Sequence, residues 1–156
     1  MKVNTITDER KVRKQIAVIG GSRAEGQDLI NAEQVGMLLA KEDAILLSGG
    51  RGGVMEASCR GASNAGGIVA GIVPGSEGNP YLTIIIKTRM DNARNVILAG
   101  SADAVIAIGG EYGTLSEIAY ALLLGIPVFG ILTWDIPGVT ACDSPDEAVR
   151  LAISES

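Results

Sequence analysis

The feature that most constrains this chain is a series of short, unbroken apolar runs, each closed by a turn and followed by a stretch with helical spacing. QIAVIG (15–20), AILLS (44–48), GIVAGIV (67–73), DAVIAIG (103–109) and PVFGIL (127–132) are five to seven residues long and contain no alternating polar positions. A run of that kind is a strand covered on both faces, because a half-exposed strand would alternate. Between the runs, apolar residues recur at helical spacing over Gln27 to Lys41, Val54 to Asn64, Asn92 to Ala99 and 115 to 124. A further short strand, TIII (83–86), follows the loop from Pro74 to Pro80, and Ser144-Pro145-Asp146-Glu147 opens a last helix with a serine cap and proline at the first helical position. Strands alternating with helices require parallel crossovers. The expected fold is therefore α/β, a doubly wound, mainly parallel Rossmann-like sheet with helices on both faces.

The length of 156 residues suits one domain, expected over 15–156 and preceded by a polar tail over 1–14 that carries Lys2, Arg10, Lys11, Arg13 and Lys14. No apolar run approaches the ~20 residues of a membrane span, and the charged N-terminus does not resemble a signal peptide, so the reading is a cytoplasmic protein with no membrane partner. Histidine is absent, and Cys59 and Cys142 stand far apart. Zinc sites, imidazole-based triads and a disulfide framework lose support, and no metal site is expected. A net charge of −5 makes nucleic acid an unlikely main partner.

Ligands of such sheets bind at the carboxyl ends of the strands, which directs attention to the loops there. Three of them are glycine-rich and lead into helices: Gly20-Gly21-Ser22, Gly49-Gly50-Arg51-Gly52-Gly53, and Gly109-Gly110-Glu111-Tyr112-Gly113-Thr114. Glycine lets backbone N–H groups turn inward, and a helix N-terminus carries partial positive charge, so main chain alone can hold a phosphate. One such loop is as readily a structural turn as a binding site; three in a small domain favour a phosphate-bearing ligand. The basic residues agree. Of the eight outside the tail, Arg23, Arg51, Lys87, Arg89 and Arg94 follow strands, whereas Lys41, Arg60 and Arg150 lie on helices. The expected partner is an anionic, phosphorylated small molecule. GGSRAEG is not GxGxxG, and GxxxxGK[ST] is absent, so neither NAD binding nor Walker-type ATP hydrolysis has support.

The stretch RNVILAGSADAVIAIGGEYGTLSEIAYALLLGIPV, with SGGRGGVMEA upstream, resembles the superfamily of the Lonely Guy phosphoribohydrolases, long labelled lysine decarboxylases and related to the DNA-processing proteins. Within it the chain is most similar to the molybdenum cofactor carrier branch, over Ile16 to about Ala148. The hydrolase motif reads PGGxGTxxE with an upstream arginine-lysine pair. Gly113, Thr114, Glu117 and Arg94 match it; Gly109 replaces the proline, Glu111 the second glycine and Asn95 the lysine. The resemblance implies a carrier of a nucleotide- or molybdopterin-like ligand, with molybdenum cofactor as possible cargo. The alternative it implies is hydrolysis of a nucleoside 5′-monophosphate by Arg94 and Glu117. A carboxylate at position 111 is expected to crowd the phosphate. Arg94 and Glu117 could equally form an ion pair that orders the loop.

Aromatic residues are few, leaving Tyr112, Trp134 and Tyr81 as candidates for stacking or packing. The helix over 115–124 is apolar almost all round, which predicts a homodimer or homotetramer with Leu122 and Leu123 at the seam.

Overall fold

The computed structural model describes residues 11–156; the expected tail falls largely outside them. The elements are β1 (Gln15–Gly20), α1 (Gln27–Lys41), β2 (Ile45–Ser48), α2 (Val54–Asn64), β3 (Val69–Val73), β4 (Ile84–Lys87), a 3-10 turn (Asp91–Ala93), α3 (Arg94–Gly100), β5 (Ala104–Ile108), α4 (Tyr112–Leu123), β6 (Val128–Ile131), β7 (Val139–Ala141) and α5 (Pro145–Glu155). The seven strands form one sheet in the order β4-β3-β2-β1-β5-β6-β7, and every neighbouring pair is parallel.

The apolar runs explain the layers. In β1, Ile16 and Val18 join the core beneath α1, α2 and α5, whereas Ala17 and Ile19 face the core beneath α3 and α4. Both sets are buried because successive side chains point to opposite faces of a sheet that has helices on each. At the end of the chain, Ser144 accepts a hydrogen bond at Oγ from the Glu147 N–H at 3.2 Å, with Pro145 at the first helical position. The Lys14 ammonium donates to the carbonyls of Ile153 and Ser156, tying the start of β1 to the last turn of α5.

The structure adds to the sequence reading in two places and corrects it in a third. All four residues of β4 are exposed, so this strand is not covered on both faces; it is the rim of the sheet, and no helix packs closely on it. β7 carries no apolar run and is held by pairing with β6, which a window of three residues does not reveal. Helix α4 starts at Tyr112, so Gly113 and Thr114 form its first turn rather than a preceding loop.

The chain moves outward from β1 to β4 and then returns to lay β5 on the other side of β1, pairing Gly20 with Ile108. Loops from β1 and β5 therefore diverge above adjacent strand ends and leave a crevice between them. Helices α1 and α2 border this crevice and touch backbone to backbone. A Cβ on Gly36 would overlap the Ser58 carbonyl, and one on Gly61 would overlap the Glu33 carbonyl.

Candidate functional site

The crevice holds a cavity of about 710 Å³. Its walls come from the β1–α1 loop (Gly20, Gly21, Ser22, Arg23), the start of α4 (Gly110, Glu111, Gly113, Thr114, Glu117), the start of α3 (Arg94, Asn95), and Arg51. Ala24, Glu25, Asp28, Met55 and Asn92 complete it. The remaining expected residues, Gly49, Gly50, Gly52, Gly53, Gly109 and Tyr112, are not in its lining.

Those glycines shape the site from behind. A Cβ on Gly49 would overlap Nη1 of Arg94, so this position must lack one for the guanidinium to lie there. Gly53 has φ +62, and a Cβ on it would overlap the Gly21 carbonyl. That carbonyl accepts the Val54 N–H at 3.1 Å, so the first and second loops are joined and one N-terminal donor of α2 is occupied. The Ser48 hydroxyl accepts the Gly50 N–H at 3.0 Å, and Asn79 braces the loop by donating Nδ2 to the Arg51 carbonyl at 3.1 Å. Gly109 has φ +54, a value proline cannot adopt, so the departure from the hydrolase motif at this position accompanies a different backbone turn.

Arg94 is 6% exposed, and its Nε is buried without a hydrogen-bond partner. Glu117 lies in the same cavity, but the ion pairs closer than 4.0 Å among the described residues are Arg13–Asp43 and Arg60–Glu33. The expected alternative of a direct Arg94–Glu117 bridge is therefore not formed. Burial lowers the guanidinium pKa of Arg94, the Glu117 charge opposes this, and the Arg51 charge adds to it. Burial pushes Glu117 up to about 7, against the pull of Arg94. At neutral pH its carboxyl group is thus divided between protonated and ionised forms.

This shift predicts a pH dependence of stability. The folded state holds the Glu117 proton to about pH 7, whereas an unfolded glutamate releases it near 4.5. The group's contribution is therefore fully present below about 4.5 and is lost as pH rises through 7. Glu117→Gln should be more stable than the parent above pH 7, by about 1–3 kcal/mol, and the difference should vanish near pH 4. Urea unfolding at several pH values measures it.

The N–H groups of Tyr112, Gly113 and Thr114 precede the first intrahelical acceptor of α4 and donate to no described group, so the N-terminus of this twelve-residue helix is open where Gly113 and Thr114 meet the cavity. Of the five loop cations, Arg23, Arg51 and Arg94 reach the cavity; Lys87 and Arg89 do not. The cavity also contains carboxylates that loop composition did not indicate. Glu25 and Asp28 enter from the start of α1, and Asp28 packs behind Gly109. An acidic residue in the first turn of α1 was the available signal, but it is also the ordinary complement of a helix dipole. Among the described residues no group of three carboxylates, thiols or imidazoles could hold a metal ion, so the arginines and open amides carry the binding potential.

Tyr112 is exposed and its ring lies 6.0 Å from that of Trp134, whose Nε1–H donates to the Glu111 carbonyl at 3.2 Å. These aromatics brace the α4 entry from outside the cavity. Tyr81 packs under the Arg60 guanidinium at 6.0 Å. No helix among the described residues is long and apolar enough to cross a membrane.

Comparison with known proteins places this geometry. An uncharacterized protein of Archaeoglobus fulgidus is 43% identical over 145 residues, spanning 91% of this chain and 96% of that protein. The molybdenum cofactor binding protein of the phototrophic bacterium Rippkaea orientalis has a similar structure, with TM-score 0.87, 38% identity, and coverage of 92% of this chain and 98% of that one. The molybdenum cofactor carrier protein of Chlamydomonas reinhardtii aligns with TM-score 0.83 and 29% identity over 92% of this chain and 98% of its own. The two solved structures share the Rossmann-like fold of this chain, and the branch indicated by the signature block is the one found. Residues 13–154 match a single family model, and the chain belongs to the SLOG cluster4 family.

Proposed function

We propose that this protein binds and carries a phosphorylated small molecule, nucleotide- or molybdopterin-like, with molybdenum cofactor as a candidate cargo. The observation that carries this reading is Arg94: a buried guanidinium with an unpartnered Nε and, among the described residues, no carboxylate within 4.0 Å, at a cavity into which the open end of α4 points. A buried charge left in that condition is costly, and a phosphate would supply the missing acceptors and countercharge. Structural similarity to molybdenum cofactor binding and carrier proteins supports the same role. Mass spectrometry of small molecules that co-purify with the protein should reveal a phosphorylated compound; recovery of none, together with no heat of binding for nucleoside monophosphates or molybdopterin, would overturn the proposal.

A second reading is favoured by Glu117, whose carboxyl group titrates near neutrality beside Arg94. As a carboxylate it could take a proton from water attacking the anomeric carbon of a nucleoside 5′-monophosphate while Arg94 holds the phosphate, releasing free base and ribose 5-phosphate. Base release that disappears in Glu117→Ala would establish this reaction and displace the carrier reading.

Glu111 bears on both. It caps α4 at the cavity mouth, is exposed, and forms no ion pair with a described residue. Removing a screened like charge about 4 Å from a phosphate is worth about 1 kcal/mol. Glu111→Gly should tighten nucleoside monophosphate binding about fivefold in calorimetric titration, and unchanged affinity would show that the carboxylate does not crowd the site.

We also infer self-association. Ile118 and Ala121 of α4 are buried, whereas Leu123, Leu124, and Val96 and Ile97 of α3 are exposed, an apolar surface suited to a copy of itself. Leu122, expected beside Leu123 at the seam, instead packs toward Gly138. A homodimer or homotetramer in sedimentation equilibrium, reduced to monomer by Leu123→Glu, is the expected outcome.

A further inference from the structure

The two edges of the sheet are built differently. β7 is three residues long and carries the polar Thr140. β4 presents Ile84, Ile85 and Ile86, which are 47%, 43% and 46% exposed, followed by Lys87. An exposed edge strand of that composition is a template for pairing with another chain, and proteins ordinarily blunt such an edge with charge, proline or a covering element. Apart from Lys87 at its end, β4 has none of these: it contains no proline, and no helix packs closely on it.

The main chain limits the register a partner strand can take. The Thr83 N–H donates to the Val69 carbonyl at 2.8 Å, so residues 83, 85 and 87 direct their main-chain groups to β3, and Ile84 and Ile86 direct theirs away from the sheet. An antiparallel partner must set outward groups against outward groups. With a second copy related by a twofold axis at Ile85, Ile84 faces Ile86 of the partner subunit and exchanges both N–H···O bonds with it, and the symmetry-related pair does the same. The two Ile85 side chains then meet across the axis, and Lys87 falls opposite a threonine. An axis at Lys87 would instead oppose two ammonium groups, and a slip of one residue would set outward groups against inward ones. A second copy thus offers isoleucine opposite each isoleucine, and one pairing covers both apolar edges.

We propose that β4 pairs antiparallel with β4 of a second copy across a twofold axis at Ile85, and that this pairing joins two dimers made through α4 into the homotetramer. Ile84 and Ile86 lie in register with Ala70 and Ile72, on the sheet face that α3 covers, so this edge shares a face with the exposed Val96 and Ile97. The pairing rests on the self-association inferred from α4 and adds a second, separate seam to it. Three isoleucines per copy cover far less than the roughly 800 Å² that each partner buries in a stand-alone interface. The β4 seam therefore acts on copies that the α4 seam has already brought together, two pairings closing the tetramer at once.

Two measurements on the full chain test it. In sedimentation equilibrium the parent should be a tetramer, and Ile85→Glu, which sets two carboxylates against each other on the axis, should yield dimers. Under mild oxidation, Ile85→Cys should give a covalent dimer on a non-reducing gel, because residues paired across the axis have Cα atoms about 4.5 Å apart, within reach of a disulfide. Ile84→Cys should not, since position 84 meets its own copy only diagonally, about 7–8 Å away. Cys59 and Cys142 are buried, so the parent supplies the blank. A parent dimer that Leu123→Glu dissociates and Ile85→Glu does not would keep the α4 seam and overturn the β4 pairing. An assembly that Ile85→Glu dissociates and Leu123→Glu leaves intact would remove the α4 seam and keep the β4 pairing. A monomeric parent, a tetramer unchanged by Ile85→Glu, or equal cross-linking at positions 84 and 85 overturns the proposal.

Discussion

Replacing Arg94 with methionine is expected to lower the affinity for a nucleoside monophosphate at least a hundredfold while leaving the melting temperature unchanged or higher. The two halves of this result have one cause. The guanidinium is buried, its Nε lacks a partner, and among the described residues no carboxylate stands within ion-pair distance, so the charge in the free protein is offset only at longer range by Glu117. Breaking a buried pair costs several kcal/mol because it strands the remaining charge, but here there is no pair to break. Methionine keeps an apolar stem and removes the desolvation cost of the guanidinium that lies against Gly49. On binding, the balance reverses. Charge-assisted hydrogen bonds to phosphate contribute about 1.5–3 kcal/mol each, and a hundredfold is about 2.7 kcal/mol. Titration calorimetry and thermal unfolding of the same preparations measure both. A variant that unfolds several degrees lower would show that Arg94 is chiefly structural.

The largest expected effect on stability lies away from the cavity. Gly36→Val should destabilise the fold by about 3 kcal/mol or more, because its Cβ would overlap the Ser58 carbonyl of α2, and Gly61 meets the Glu33 carbonyl of α1 in the same way. Neither obstacle is a flexible side chain. Both are helix backbone, so the helices would have to separate, and the apolar core beneath them, including Val35, Leu39, Ala57 and Cys59, would lose its packing. Gly113→Ala provides the contrast. Its Cβ would meet nothing within 4 Å, its φ is not positive, and it lies in the first turn of α4, so it should be neutral or stabilising by up to about 1 kcal/mol. Urea denaturation midpoints for the two variants should therefore move apart, and equal shifts would refute the argument from backbone contact.

The contrast between these glycines shows what kind of information a sequence holds. Gly36, Gly61 and Gly113 all lie in helices of the structure. Only the approach of another backbone separates the two that cannot change from the one that can, and that approach is a property of the packed helix pair.

By itself the sequence determined the parallel α/β architecture and the order of its elements apart from β7, and it directed attention to the carboxyl ends of the strands. The physical reason is local: an unbroken apolar run records burial on both faces, helical spacing records burial on one, and Ser144 with Pro145 sets a helix start through bonds only three residues long. The glycine-rich loops before α1 and α4 were legible for the same reason, although the start of α4 was not. The tertiary structure alone decided which loops meet. Placing β5 beside β1 brings Glu117 and Arg94 into one cavity and leaves Lys87 and Arg89 outside it, although all four follow strands in the chain. It also admitted Asp28 and Asn92, took Leu122 away from the exposed stripe, added β7 to the sheet through pairing alone, and left β4 at the rim with its isoleucines exposed. Each outcome depends on contacts between residues far apart in the chain, and local periodicity carries no record of the partner.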